Sequence, residues 1–335
     1  MARMKLMING AWREDVVGPP EFDGQPMVHT GSFRDRVTAD AGSAYPSMAG
    51  RYHLYVSYAC PFSHRVIMVR ALKQLDRIVD LSIAHPLWDT AGGWVFHDGP
   101  MSTRDGAGNG FLNLHEAYRA SRADYTGKVT VPVLWDRVSK RIVNNESLEI
   151  AQMLNEAFND IGGNPTLNLY PIAEKTALDS LCAAIDRSLA KGVYAVAAAL
   201  DQRQYDSAIE VLFGFLDKLE RQLQDGRRFL LTDAVTLADV LAFPPLVRFD
   251  AVYNPLFRAS RRRLVDYPRL AAYVMRLYEV PGVASTLRLD HILAHYYDGD
   301  WAVACRRRIV PEAPAVDWRC SDKRFSSSAE CASVR

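Results

Sequence analysis

The sequence predicts two domains in series, a small α/β unit followed by an all-helical one. Three observations carry this prediction. The chain has 335 residues, long for a single core. Strand and helix signals alternate from 50 to about 158, and from about 170 to 297 apolar residues recur at helical spacing. Hydrophobic residues at 49% and charged ones at 24% fit an ordinary globular protein. A net charge of +1 gives no reason to expect nucleic acid or an anionic membrane as partner, and Arg261, Arg262 and Arg263 read as a solvated surface run.

Residues 1–49 carry Gly18-Pro19-Pro20, Gly24, Pro26, Gly42 and Pro46, which fit an extended arm laid over the body. Trp12, Phe22, Phe33 and Tyr45 give that arm something to pack with. The α/β unit spans 50–160. A strand is expected over 53–58, then a helix over 63–74 with Val66, Ile67, Val69, Ala71 and Leu72 on its buried side. A second strand over 78–84 and a glycine-rich insertion over 90–110 precede a short helix at 114–120. Strands over 129–135 and at 142–143 form the last pair, and a helix begins near Glu146. The helical unit spans 170–297, with helices over 172–189, 205–224, 236–249 and 270–278. Thr236-Leu237-Ala238-Asp239 reads as a capping-box start for the third of these. The tail, 298–335, has weak periodicity, and its end around Phe325 has the composition of a disordered segment.

Cys60 carries the chemistry. In Tyr58-Ala59-Cys60-Pro61-Phe62-Ser63-His64-Arg65 an apolar strand runs into a proline and then a helical pattern, placing a thiol at a helix N-terminus. Unpaired N–H groups and the positive end of the helix dipole favour the thiolate there, the nucleophilic form. Pro61 fits the first turn, where its missing N–H costs nothing. The strand-Cys-Pro-helix context resembles the thioredoxin/glutaredoxin active turn. Ser63 stands three residues on, so a mixed disulfide at Cys60 needs an outside thiol to resolve it. A free cysteine is otherwise most often a small buried hydrophobe. Pro132 inside a strand pattern fits the cis-proline that faces the active turn in thioredoxin-like domains; an edge-strand proline is the alternative.

Five cysteines, at 60, 182, 305, 320 and 331, are odd in number and irregular in spacing, which argues against a disulfide framework or zinc site and fits a reducing cytoplasm. His291 and His295 lie four apart near Asp290, but no third ligand pattern accompanies them, so a structural role is expected and no metal. The first 14 residues lack a signal pattern, and no window approaches a membrane span.

A thioredoxin-like domain followed by an all-α domain is the arrangement of the glutathione transferase fold. Segments 51–61, with Cys60-Pro61, 85–87, 125–136, 142–147, with Glu146-Ser147, and 266–268 take the resemblance further. With Arg248-Phe249-Asp250-Ala251-Val252-Tyr253 and His295-Tyr296-Tyr297, the chain resembles the glutathionyl-hydroquinone reductases, the Xi class of glutathione transferases, over about 50–297. Phe62 and Ser63 stand where that family usually has tryptophan and alanine, and Lys128 where it often has arginine. Lysine lacks the bidentate fork of arginine.

The resemblance implies a glutathione site with glutathione as co-substrate. Glu146 would accept the γ-glutamyl ammonium, Ser147 and the adjoining helix N-terminus would hold its carboxylate, and the backbone of Val131 beside Pro132 would pair with the cysteinyl unit. Lys128 would pair with a carboxylate and Trp94 would cover the peptide, unless it is simply a packed aromatic. Tyr194, Tyr253 and Tyr296 match tyrosines that project toward the sulfur in the family; Tyr297, adjacent, can exchange roles with Tyr296. The implied activity is cleavage of a glutathionyl-hydroquinone through a Cys60-glutathione mixed disulfide, releasing hydroquinone and then oxidised glutathione, in a homodimer. A glutaredoxin-like thioltransferase or dehydroascorbate reductase would use Cys60 without the tyrosines. A conjugating transferase would activate glutathione without a covalent intermediate, and a non-catalytic binding module would need none of these residues together.

Overall fold

The computed structural model describes residues 3–17, 21–22, 25–26, 33–88 and 92–299. The tail expected over 298–335 therefore lies, from residue 300 on, outside the described residues, as do Cys305, Cys320 and Cys331 and the stretch Gly18-Pro19-Pro20. Two compact units are present, one running to Asn168 and taking up the chain again from Thr286, the other Leu169–Ser285.

The first unit opens with an antiparallel hairpin, β1 (Arg3–Ile8) and β2 (Ala11–Val17). Asn9 and Gly10 form its turn with φ of 48° and 75°, the left-handed pair that a two-residue hairpin loop requires. Within the arm expected over 1–49, these two strands are paired with each other through the turn at Asn9-Gly10. A two-residue pair, β3 (Glu21–Phe22) with β4 (Gln25–Pro26), follows.

The central sheet has four strands, β5 (Tyr52–Val56), β6 (Asp80–Ile83), β7 (Val133–Asp136) and β8 (Arg141–Asn144), in the order β6-β5-β7-β8. Only β5 and β6 are parallel, and α1 (Pro61–Leu72) makes their crossover. Every residue of β5 and β7 is buried, which is why both read as nearly continuous apolar runs. One face, carrying Tyr55, Val133, Trp135 and Ile142, packs with α2 (Leu114–Ser121) through Leu114, Ala117 and Tyr118. On the other, Tyr52 meets Phe158 edge-on, just beyond α3 (Ser147–Glu156), which packs on α1.

Two expectations change here. Pro132 does not interrupt a strand, because β7 begins one residue after it; the ladder never asks for the missing donor. Helix α1 is buried on more than one side: Ser63, His64, Arg65 and Met68 join Val66, Ile67, Val69 and Leu72, while Ala71 is half-exposed.

The helical unit comprises α4 (Lys175–Ile185), α5 (Gly192–Ala198), α6 (Gln202–Gln222), α7 (Leu237–Val247) and α8 (Pro268–Glu279). Asp201 caps α6 by accepting the Gln204 N–H at 2.8 Å. The Thr236 capping box forms, with Asp239 accepting the Thr236 N–H at 2.8 Å. Helix α7 contains Pro244 and Pro245, and the buried Arg248 donates to the Pro244 carbonyl at 2.8 Å just before a π-helical turn, Phe249–Tyr253. The short α9 (Leu289–Leu293) belongs to the first unit and passes into another π turn, Ala294–Asp298. Among the described residues no helix is long and apolar enough to cross a membrane.

Candidate active site

Cys60 is the N-cap of α1, extended at φ −77° and ψ 122°, with Pro61 opening the helix. Its carbonyl already accepts the first helical bond, from His64 N–H at 3.0 Å, and its own N–H is tied to Ser57 O at 3.2 Å. The thiol is partly exposed and in no disulfide among the described residues, and Sγ lies 3.6 Å from the carbonyl oxygen of Val131. The Val131–Pro132 peptide bond is cis, as the sequence pattern suggests. Ser63 points inward and its Oγ accepts the Ser57 N–H at 3.3 Å, steadying the turn that carries Cys60.

The next two residues of α1 are committed elsewhere. His64 Nε2 meets Thr286 Oγ1 at 2.9 Å, tying the helix to the chain's return segment. The Arg65 guanidinium lies over the Phe62 ring at 4.8 Å and donates to Ser147 Oγ at 3.3 Å. Arg65 thus links the helix that starts at Cys60 to the helix that starts at Ser147.

Glu146 is the N-cap of α3, half-buried, with its N–H held by Asn144 Oδ1 at 2.7 Å. Ser147 opens that helix and is buried. An anion placed there would meet unpaired N–H groups and the helix dipole. A network invisible to sequence reading connects this corner to Val131. The Tyr118 hydroxyl accepts from Asn145 Nδ2 at 3.1 Å and from the Thr130 N–H at 3.2 Å, and donates to the Thr130 carbonyl at 2.8 Å. Burial pushes the Tyr118 phenol up to about 12, so it acts as a neutral donor and acceptor. It fixes the residues just before Val131 and just before Glu146 against each other. Lys128, half-buried, is pulled below the usual lysine range by that burial.

Trp94 is nearly buried, stacked on His295 at 5.8 Å and 15° and tilted against Trp88 at 6.3 Å. It shares with Val131 the apolar cluster against which Cys60 packs. His295 also bonds the Pro86 carbonyl through Nδ1 at 2.6 Å, a structural commitment, and meets Tyr296 edge-on at 4.9 Å. Tyr296 and Tyr297 are both buried. His291 is buried beside the Tyr58 ring at 5.3 Å, and burial pulls its imidazole down to about 4. Among the described residues no three His, Cys, Asp or Glu side chains gather as metal ligands.

In the helical unit Tyr194 and Tyr253 stand together, 6.1 Å apart, and both contact Phe257, at 5.4 and 5.2 Å. Tyr253 ends one π turn and Tyr296 sits in another. Such turns break the 3.6-residue repeat, so sequence periodicity alone does not place these side chains.

The glutathione S-transferase N-terminal domain model matches residues 59–157, and the C-terminal domain model matches 183–276. The glutathionyl-hydroquinone reductase PcpF of Sphingobium chlorophenolicum is 40% identical over 312 residues, covering 93% of this chain and 97% of that protein. The glutathionyl-hydroquinone reductase YqjG of Escherichia coli K12 is 37% identical over 303 residues, covering 88% and 90%. Among solved structures, the Xi-class transferase of Natrialba magadii superposes with a TM-score of 0.88 at 35% identity, covering 95% and 96%. The glutathione-bound structure of YqjG gives 0.82 at 34% identity, covering 93% and 96%. A thiol-bearing α/β unit joined to a helical unit, with this identity along nearly the whole chain, makes the protein a member of the glutathionyl-hydroquinone reductases, the Xi class of glutathione transferases.

Proposed function

We propose that the protein is a glutathione-dependent oxidoreductase that cleaves glutathionyl-hydroquinones, with Cys60 as nucleophile. The observation that carries this is the Cys60 thiol at the start of α1, 3.6 Å from the backbone of the residue before a cis proline. A peptide thiol paired to the Val131 backbone would present its sulfur to Cys60, and proximity of this kind supplies much of the acceleration of a thiol exchange.

Glutathione would lie with its γ-glutamyl ammonium on Glu146, the adjoining carboxylate on Ser147 and the N-terminus of α3, and its cysteinyl backbone on Val131. Lys128 and Trp94 would border it. In the first step the ring takes its keto tautomer, in which the carbon bearing sulfur also bears hydrogen. Cys60 thiolate attacks the glutathione sulfur, the S–S bond forms and the C–S bond breaks. The electron pair passes into the ring, whose oxygen takes a proton from a tyrosine among Tyr194, Tyr253 and Tyr296 to give the hydroquinone. In the second, a glutathione thiolate attacks the mixed disulfide, releases oxidised glutathione and restores Cys60. Only an aromatic that can accept those electrons serves as leaving group, so ordinary thioethers are poor substrates. Consumption of free glutathione is in keeping with a reducing cytoplasm, and the family resemblance with a homodimer.

The test is mass spectrometry of the protein mixed with one equivalent of a glutathionyl-hydroquinone, beside Cys60→Ser. One added glutathione on the native protein alone, with stoichiometric hydroquinone, is expected. Hydroquinone release by Cys60→Ser would overturn the covalent mechanism.

A further inference from the structure

The β1–β2 hairpin takes no part in the chemistry above, yet it touches both walls of the glutathione site. On one side β1 and the turn pair with the segment leading to Pro132. Met7 and Gly127 exchange backbone bonds in both directions at 2.9 Å, and Gly10 N–H donates to the Tyr125 carbonyl at 2.9 Å. On the other side it grips the segment leading to Trp94. Lys5 Nζ donates to the Trp88 carbonyl at 3.1 Å and lies 5.3 Å over that ring.

Glu14 makes the decisive contact. Its Oε1 accepts the backbone N–H of Gly92 and the indole N–H of Trp12, both at 2.7 Å. Those two bonds hold its carboxyl below the usual carboxylate range. The Trp12 ring, itself stacked on His115 at 5.1 Å, fills the space beside Gly93, where an added Cβ would come within 2.9 Å of it. The two residues before Trp94 are therefore held by the hairpin, one by a hydrogen bond and one by contact. The Trp94 carbonyl accepts Leu114 N–H at 2.9 Å, and its ring rests on His295.

We propose that the hairpin is a brace that sets Trp94 for glutathione, with Glu14 as its positioning residue. The inference rests on the reading of Trp94 as a wall of the glutathione site. The brace ties Gly92 and Gly93, which lead into Trp94, to Tyr125 and Gly127, which lead into Lys128 and Val131, and so sets the two segments against each other before glutathione arrives. Preorganisation of this kind shows in affinity.

The test measures glutathione binding by calorimetry in a Cys60→Ser background, with Glu14→Ala, Glu14→Gln and Trp94→Ala compared. Hydrogen exchange over 88–96 and the melting temperature are followed in each. Glu14→Ala is expected to weaken glutathione binding on the order of fivefold, a fraction of what a charge-assisted hydrogen bond can carry. Exchange should rise in 88–96 with little change in melting temperature. Glu14→Gln, whose amide oxygen accepts the same two N–H groups, should restore affinity. If Trp94→Ala weakens binding and Glu14→Ala does not, the brace falls and the role of Trp94 stands. If Trp94→Ala leaves binding unchanged, the role of Trp94 falls and the brace with it. Glu14→Gln behaving as Glu14→Ala, or a loss of affinity matched by general destabilisation, also overturns the proposal.

Discussion

The sulfur of Cys60 sits 3.6 Å from the carbonyl oxygen of Val131, although 71 residues of chain separate them. One group ends the turn after β5, the other precedes the cis proline before β7, and β5 and β7 are neighbours in the sheet. Strand pairing therefore brings a nucleophile and a peptide-binding backbone to one corner, and the residues beyond Cys60 decide what the thiol does next.

Ser63 takes the place of a second thiol, buried three residues after Cys60. A Cys60-glutathione adduct should then persist once free glutathione is removed. Replacing Ser63→Cys supplies a resolving thiol at the spacing of dithiol oxidoreductases. The adduct of that variant is expected to decay without added glutathione, leaving a disulfide between Cys60 and the introduced thiol that is detectable as a mass loss of two hydrogens. A variant adduct as lasting as the native one would show that position 63 is out of reach.

Ser147 offers its hydroxyl to Arg65 and its backbone to the start of α3. Ser147→Ala removes an acceptor from a buried guanidinium and a donor from the expected carboxylate site. The KM for glutathione should rise by about tenfold while kcat holds within a factor of about two, because the lost contact is made equally in ground and transition states. Steady-state kinetics at varied glutathione checks this. A fall in kcat at unchanged KM would move Ser147 from binding to chemistry.

His53 gives the fold an acid sensitivity. Its Nε2 meets Ser82 Oγ at 2.8 Å and its Nδ1 faces Arg137 Nη2 at 3.2 Å, an arrangement that fits the neutral ring with Nδ1 accepting. Burial first, then Arg137, pulls the imidazole down to about 4. The unfolded chain takes up this proton near pH 6.5 and the folded one does not until about pH 4, so stability present above pH 6.5 is lost as pH falls. Between pH 6.5 and 5 His53 should cost about 1.5 kcal/mol. Urea unfolding at those two pH values measures it, and His53→Gln should flatten the slope by that amount. An unchanged slope would mean that His53 titrates normally in the folded protein.

The two-domain order, the Cys60-Pro61 helix start, Pro132 and the Thr236 cap were legible because each is written in a few adjacent residues. The hairpin was equally local, carried by Asn9-Gly10 between two strand-forming runs, but the prolines and glycines beyond it draw attention to an irregular arm. Other features were beyond reach for a physical reason. Tyr118 joins Asn145, just past β8, to Thr130, ahead of β7, only because α2 packs against β8. Arg65 finds Ser147 through the packing of α1 on α3. Periodicity reports which side of an element is buried, and neither bond follows from that. Tyr253 and Tyr296 stand in π turns, where the register that periodicity assumes has already slipped.

Asp239 shows what a legible motif leaves unsaid. The capping box is readable in sequence, but the carboxylate also reaches beyond α7. One oxygen accepts Thr236 N–H and Oγ–H at 2.8 Å each, and the other accepts Leu230 N–H at 2.9 Å and Tyr273 O–H at 2.8 Å. Burial raises its carboxyl pKa, and the four converging donors oppose that rise. Asp239→Asn keeps shape and volume but turns one oxygen into an NH2 that confronts two donors. The helical unit should lose about 2–4 kcal/mol, the scale of a buried charged acceptor left mismatched. Denaturant unfolding reads the loss, and Tyr273→Phe, which removes one donor without adding another, should cost less than half as much. Equal losses from the two variants would locate the energy in the Tyr273 bond and not in the cap.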